Sequence, residues 1–225
     1  AASTMDTLVK AMPSNGDFVY QLGEIYRQSG KFAESRTAFE TILKGLPKNL
    51  PSIIHLVEMD VAEGKYDSAM QRLSPLLTEG KGDADVFYYQ ATIFASQEKW
   101  TESEKCLMQA IEVRNDYEPA YQALIQVYMQ TKQLPSALER AELLLKRDPA
   151  NQQALMVSGL ICEELKDFAA ARRYYEKLRS VNGSLPSVLN NLAGVLGQQL
   201  NEVQRAYEIA QDRKSTRLNS SHANV

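Results

Sequence analysis

The chain has 225 residues, 44% hydrophobic and 24% charged, with a net charge of −3. This is ordinary globular composition. The slight acidic excess argues against a nucleic-acid binder, which needs a clustered basic surface. No apolar run approaches the roughly 18 residues of a membrane span, so membrane insertion is not expected here.

Residues 1–15 make sense only through a period that becomes visible further on. Subtracting 34 from Phe39, Ile42 and Pro47 lands on Met5, Leu8 and Pro13. This stretch is expected to be the C-terminal part of a truncated repeat. The first full unit, 16–49, reads as two short amphipathic helices broken at Gln28-Ser29-Gly30-Lys31. Leu22, Gly23 and Tyr26 mark a face of its first helix; Phe32, Ser35, Phe39 and Ile42 mark a face of its second, and Pro47 closes it. Gly23 would permit close approach of the two helices. Stepping by 34 from Phe32 gives Tyr66, Trp100, Leu134 and Phe168, all bulky, while stepping from Ser35 gives Ala69, Ser103, Ala137 and Ala171, all small. One bulky and one small column at a fixed period indicate a helical repeat array. The bulky column, Trp100 included, is expected in the core.

The second unit, 50–83, places Pro51 in a first turn, where no amide hydrogen is needed. It departs from the pattern at Asp60, where the first unit has Tyr26. The third, 84–117, carries Phe87, Ala91, Phe94 and Leu107, with Asp83 or Asp85 able to cap its first helix. The fourth, 118–151, holds Tyr121, Leu124, Tyr128 and Leu144 and ends at Asp148-Pro149. The fifth, 152–185, has Leu155, Gly159, Tyr175 and Leu178, then a break at Asn182-Gly183. A sixth, 186–211, is truncated; its inter-helix turn, 197–201, is one residue longer, which puts Ala206 in the small column and Ala210 after it.

Residues 212–225 have no helical period. Asp212 to His222 matches, residue for residue, the translation of a common short-read sequencing adapter, so this tail is expected to be non-native and without function. Both ends are thus expected to be cut, leaving the middle of a longer, bacterial protein. Cys106 and Cys162 make no metal spacing. Cys162 shares a column with Tyr26, Phe94, Tyr128 and Leu196 and is expected as a buried free thiol.

The 34-residue helix–turn–helix unit resembles the tetratricopeptide repeat. The first unit supplies Val19, Leu22-Gly23, Tyr26, Ser35, Phe39, Ile42 and Pro47; the fourth supplies Tyr121, Leu124-Ile125, Tyr128, Ala137, Ala141, Leu144 and Pro149. The register extends over about residues 5–211. The resemblance implies an all-α, right-handed superhelical solenoid of antiparallel helix pairs, with first helices lining a concave groove that holds a peptide or partner protein. Carried over by position, the groove residues are Tyr20, Glu24 and Arg27, then Ile54, Glu58 and Val61, then Tyr88, Thr92 and Ala95. Gln122, Gln126 and Met129 follow from the fourth unit, and Met156, Leu160 and Glu163 from the fifth. The lysine–asparagine clamp by which some members grip a carboxylate is not matched, since Tyr20, Glu24, Ile54 and Glu58 stand there. An asparagine ladder would run through Gln21, His55, Tyr89, Ala123, Val157 and Asn191, and only the last is asparagine.

No phosphate loop, nucleophile elbow or metal-binding His-Glu-x-x-His occurs. His55 has no partner identifiable from spacing and is expected at the groove edge or facing solvent. Adjacent helical residues point apart, so Glu163-Glu164 reads as a solvated face and not as acid/base machinery. No catalytic residue, metal or cofactor is expected. The leading reading is a non-enzymatic protein–protein interaction scaffold, its acidic tilt favouring basic or amide-rich partners. The alternatives are a docking region of an enzyme, such as a glycosyl- or sulfotransferase, or a component of bacterial envelope machinery for polysaccharide export or pilus assembly. Exposed apolar faces at cut ends would allow self-association. Cytoplasm and bacterial envelope are both compatible compartments.

Overall fold

The computed structural model describes residues 15–77, 82–183 and 185–211. The expectations for residues 1–14 and for the tail at 212–225 lie outside the described residues. The chain forms two compact units, 1–117 and 118–225.

The described part of the first unit holds α1 (Gly16–Gln28), α2 (Phe32–Gly45), α3 (Leu50–Ala62), α4 (Tyr66–Leu73, extended by a 3-10 turn at Ser74–Leu76), α5 (Ala84–Ser96) and α6 (Trp100–Val113). The second holds α7 (Glu118–Gln130), α8 (Leu134–Arg147), α9 (Gln152–Glu164), α10 (Phe168–Val181), α11 (Pro186–Gly194), and a last helix at 203–211. Within each unit the helices pack as consecutive antiparallel pairs, the all-α solenoid arrangement that the resemblance implies. First helices start at 16, 50, 84, 118, 152 and 186, a step of 34 throughout.

The period is written into the backbone. Asn15, Asn49, Asp83 and Asn151 each precede a first helix and accept a hydrogen bond from one of its opening amides. Asp83 is thus the cap in the third pair, while Asp85 accepts from Arg114 (2.7 Å) and the Tyr117 hydroxyl (2.6 Å). Each turn inside a pair has one left-handed residue: Gly30, Gly64, Glu98, Lys132 and Lys166, with φ between 57° and 73°. Glycine meets that demand without steric cost; the three longer residues adopt it under constraint. The turn then closes with a bond from Lys31 N to Tyr26 O (2.8 Å), repeated from Lys65 to Asp60, Lys99 to Phe94, Gln133 to Tyr128 and Asp167 to Cys162.

The small column sits where the two helices of a pair approach most closely. Ser35, Ala69, Ser103, Ala137 and Ala171 are all buried. The Ser35 hydroxyl donates to Gly23 O (2.8 Å) and that of Ser103 to Ala91 O (3.0 Å), so the second helix rests on the backbone of the first. A second column compensates volume across the same contact. Gly23 pairs with Phe39, Val57 with Leu73, Ala91 with Leu107, Ile125 with Ala141 and Gly159 with Tyr175, each buried. A Cβ on Gly23 would meet the Phe39 ring at 3.0 Å, and one on Gly159 would meet the Tyr175 ring at 2.2 Å.

The bulky column behaves differently from expectation. Phe32 is 57% exposed, and Tyr66, Trp100, Leu134 and Phe168 are only partly buried. Each opens a second helix, where the side chain leans back over the turn and meets protein on one side only. Trp100 is therefore an edge residue and not a core one.

Asp60 is 1% exposed, yet charged residues converge on it. Arg36 of α2 donates to one carboxylate oxygen (2.5 Å) and Arg72 of α4 to the other (2.6 Å). The same arginines reach Glu63 (2.9 Å) and Glu40 (3.3 Å). The departure from the aromatic pattern is thus an ionic clasp across three helices.

The longer sixth turn is absorbed as π-helix. α11 continues into a π turn at Val195–Gln199, the usual way a single extra residue is taken up inside a helix. The left-handed residue moves on to Asn201, and the closing bond becomes Glu202 N to Leu196 O (2.7 Å). Ala206 packs on this core as expected, 3.1 Å from a Cβ placed on Gly197. Ala210, however, is exposed and Ile209 is buried in its stead, because three residues, not four, carry this helix from Ala206 back to the core side.

Denaturant melts of variants test these contacts. Gly159→Ala is expected to cost about 1–3 kcal/mol through overpacking against Tyr175. Gly159→Ala with Tyr175→Leu, which recreates the Ala91/Leu107 pair, is expected to lose less than the two single changes summed; strict additivity would refute the volume coupling. Asp60→Ala leaves two arginines facing an emptied carboxylate site and is expected to cost about 3 kcal/mol. A loss under about 1 kcal/mol would mean that water replaces the clasp.

Candidate partner-binding face

The first helices of the first unit are joined side chain to side chain. A 34-residue step sets α1, α3 and α5 in register, so residues 31 or 35 apart become neighbours. The Tyr20 hydroxyl of α1 lies 3.0 Å from His55 Nε2 of α3. Glu24 Oε1 lies 3.3 Å from the same nitrogen, and Glu58 Oε2 lies 3.4 Å from His55 Nδ1. From α5 the Tyr89 hydroxyl donates to Glu58 Oε1 (3.2 Å). Arg27 grips Glu24 with two bonds of 2.9 Å. Beneath the cluster Phe39 stacks on the imidazole, ring centres 4.7 Å apart.

His55 is therefore not a solvent-facing residue without partners: its side chain is 15% exposed and meets Tyr20, Glu24 and Glu58. Its partners on α1 lie one repeat away, which spacing within its own helix cannot show. The signal was present in the register that also holds Tyr89 and Asn191. Three members of that column, His55, Tyr89 and Asn191, reach the preceding first helix, the last through its amide, which approaches Met156 Sδ (3.8 Å).

The hydrogen bond from Arg27 holds the Glu24 carboxyl below the ordinary range, and one from His55 does the same for Glu58. Burial pushes the hydroxyls of Tyr20, Tyr88 and Tyr89 up. At neutral pH this face presents charged carboxylates among neutral phenols. Two clefts flank Glu58. One, of about 320 Å³, lies between α3 and α5, walled by Val61, Ala62, Tyr88, Tyr89 and Thr92. The other, of about 250 Å³, is floored by Phe32, Met59 and Ala62 and rimmed by Arg27 and His55.

The structure thus brings together Tyr20, Glu24, Arg27, Glu58, Tyr88 and Thr92. Thr92 spends its hydroxyl on Tyr89 O of its own helix (2.8 Å). Ile54, Val61 and Ala95 are half-buried. In the second unit Gln122 bonds Glu118 on its own helix (2.8 Å), Gln126 is exposed, and Met129 and Met156 are partly buried. Leu160 is exposed. Glu163 accepts the hydroxyl of buried Tyr175 (2.5 Å), and Glu164 takes Lys132 (2.7 Å), so the two carboxylates do point apart. Cys106 and Cys162 are buried free thiols, pushed by burial up to about 11. Among the described residues no group of three or more His, Cys, Asp or Glu could hold a metal ion. No described helix is long and apolar enough to cross a membrane.

The tetratricopeptide repeat family model matches residues 1–49 and 123–184. The chain carries tetratricopeptide repeats over these two stretches. Solved structures of such arrays share its fold. PilF of Pseudomonas aeruginosa superposes with a TM-score of 0.68 at 17% identity, covering 92% of this chain and 91% of that one. MamA from residue 41 onward, of Desulfovibrio magneticus RS-1, gives 0.62 at 14% identity over 74% and 94%. Another MamA crystal structure gives 0.60 at 22% identity over 72% and 95%. At these identities the likeness is one of fold. The search of curated proteins gives no match. Tetratricopeptide repeats generally serve protein–protein interaction and are typically non-catalytic, which places this chain among scaffolds.

The lowered carboxyls of the first-helix face have a pH signature. Glu24 and Glu58 ionise more readily folded than unfolded, where a glutamate titrates near about 4.3. Their contribution is present above that value and is lost as pH falls through the lowered folded values. Glu24→Gln is therefore expected to lower the melting temperature at about pH 7 and to have a smaller effect near about pH 3. Equal melting-temperature differences at both pH values would remove the linkage.

Proposed function

We propose that this tetratricopeptide repeat protein is a non-catalytic scaffold that holds an extended segment of a partner protein along the exposed faces of its first helices. Each helix pair with its following turn acts as one repeat, bounded at 16–49, 50–83, 84–117, 118–151, 152–185 and 186–211. In the first unit Tyr20, Glu24, Arg27, Glu58, Tyr88 and Thr92 supply the contacts; in the second, Gln122, Gln126, Met129 and Glu163 do. The observation that carries this reading is the cross-helix line Tyr20–His55–Glu58–Tyr89. It joins three first helices into one surface, with charged and aromatic groups beside two open clefts. Such a surface suits a segment read at several points, with the carboxylates favouring basic or amide-rich sequence.

The test is a selection of peptides from a random display library on the whole chain, followed by calorimetry. Selected peptides are expected to be rich in basic or amide residues and to weaken as salt is raised from about 0.05 to 0.5 M. Tyr88→Ala and Gln126→Ala are expected to reduce binding while leaving the melting temperature within a few degrees of the parent. Binding that ignores salt and both substitutions would place the contact surface elsewhere.

A further inference from the structure

Most carboxylates on or beside the first-helix face of the first unit have an arginine or lysine partner, and Glu58 does not. Glu24 is closed by the two-pronged grip of Arg27. Asp60 is buried between Arg36 and Arg72, and Glu63 is shared by Arg36 and Lys65. Asp85 takes Arg114. Glu58, whose side chain is 46% exposed, lies against His55 and Tyr89 and pairs with no arginine or lysine among the described residues. One of its oxygens accepts from Tyr89 and the other faces His55, so each keeps a second lone pair free. At short range its charge meets only the His55 ring and the Tyr89 hydroxyl; Arg27 acts on it from further away.

That charge opens on the cleft between α3 and α5. Of the side chains walling it, Glu58 alone is charged, and the rest are Val57, Val61, Ala62, Thr92 and two tyrosines. The Tyr88 and Tyr89 rings stand nearly perpendicular (83°) with centres 5.2 Å apart, presenting an edge and a face beside the carboxylate. A carboxylate next to aromatic faces in a partly desolvated recess is the chemistry that attracts an organic cation. A planar guanidinium can lie on a ring and still donate in-plane hydrogen bonds to the carboxylate, which a round, strongly hydrated ammonium does less well. The volume of about 320 Å³ leaves room for the end of one such side chain.

We infer that the cleft bounded by Glu58, Tyr88 and Tyr89 is a subsite for an arginine side chain of the partner protein. The inference deepens the scaffold reading and rests on it for the source of the arginine. The partner's guanidinium replaces water over the Tyr88 ring and supplies the cation that Glu58 lacks. The adjoining cleft over Phe32, Met59 and Ala62 takes an apolar neighbour of that arginine, since the two clefts share Glu58 and Ala62.

The test uses the whole chain and a defined probe, acetyl-arginine amide, with its uncharged isostere acetyl-citrulline amide as control. Binding is followed by NMR through the ring carbons of the tyrosines and the amides of α3 and α5. The expected result is a saturable shift at Glu58, Tyr88 and Tyr89 with arginine and none with citrulline. Glu58→Gln should weaken it about tenfold, as loss of a charge-assisted contact does. Tyr88→Leu should abolish the preference for acetyl-arginine amide over acetyl-lysine amide and melt within a few degrees of the parent. Glu58→Gln should melt somewhat below the parent at about pH 7. Equal shifts with citrulline, or shifts spread evenly over other surface carboxylates, would overturn the subsite. Library-selected peptides whose affinity ignores Glu58→Gln would also overturn it while leaving the scaffold reading intact. A saturable arginine shift with no peptide selected would support the subsite and remove the scaffold reading.

Discussion

The structure depends on how closely the two helices of a pair can approach. At the small column a Ser or Ala of the second helix lies against the backbone of the first, as the bonds from Ser35 to Gly23 and from Ser103 to Ala91 show. A larger residue there would separate the helices and tilt the pair. Helix interiors are packed to crystal-like density, so a fixed approach also fixes the volume available beside it. The Gly/Phe, Val/Leu, Ala/Leu, Ile/Ala and Gly/Tyr combinations fill that space in five ways. In four of the five the summed volume across the contact is similar, and Val57 with Leu73 exceeds it, so the second pair accommodates more.

Constant pair geometry makes the pairs stackable at a constant step. In the first five pairs the left-handed turn residues and turn-closing bonds recur every 34 residues, and side-chain caps do so at Asn15, Asn49 and Asp83 and again at Asn151. The same step brings Tyr20 to His55 and Glu58 to Tyr89. The surface chemistry of the first unit is thus a by-product of register: groups that have nothing to do with one another along the chain share a proton or a charge across helices.

Departures from the pattern are resolved locally. The extra residue in the sixth pair is taken up by one π turn, which shifts the left-handed residue and the closing bond by one position and lets the helix beyond pack through Ile209. Asp60 replaces an aromatic residue and is satisfied by Arg36 and Arg72, which come from the second helices of two successive pairs. A buried carboxylate is tolerated there because both oxygens and both flanking arginines find partners.

Helix number, helix boundaries, the small column, the buried Cys162 and the extra residue of the sixth pair were legible in the sequence, since each follows from a period and from residue size. The bulky column was read as core and proved to be an edge, because periodicity reports which residues are alike but not how many neighbours each has. Tyr20, Glu24, Glu58 and Tyr88 could be named from register, but their chemistry could not. Which carboxylate is closed by an arginine, which stays open, and that His55 sits between two of them are decided by distances of about 3 Å across helices. Sequence determines such distances only through the packing of whole helices. The repeat was therefore readable from one chain of letters, and the site only from helices set side by side.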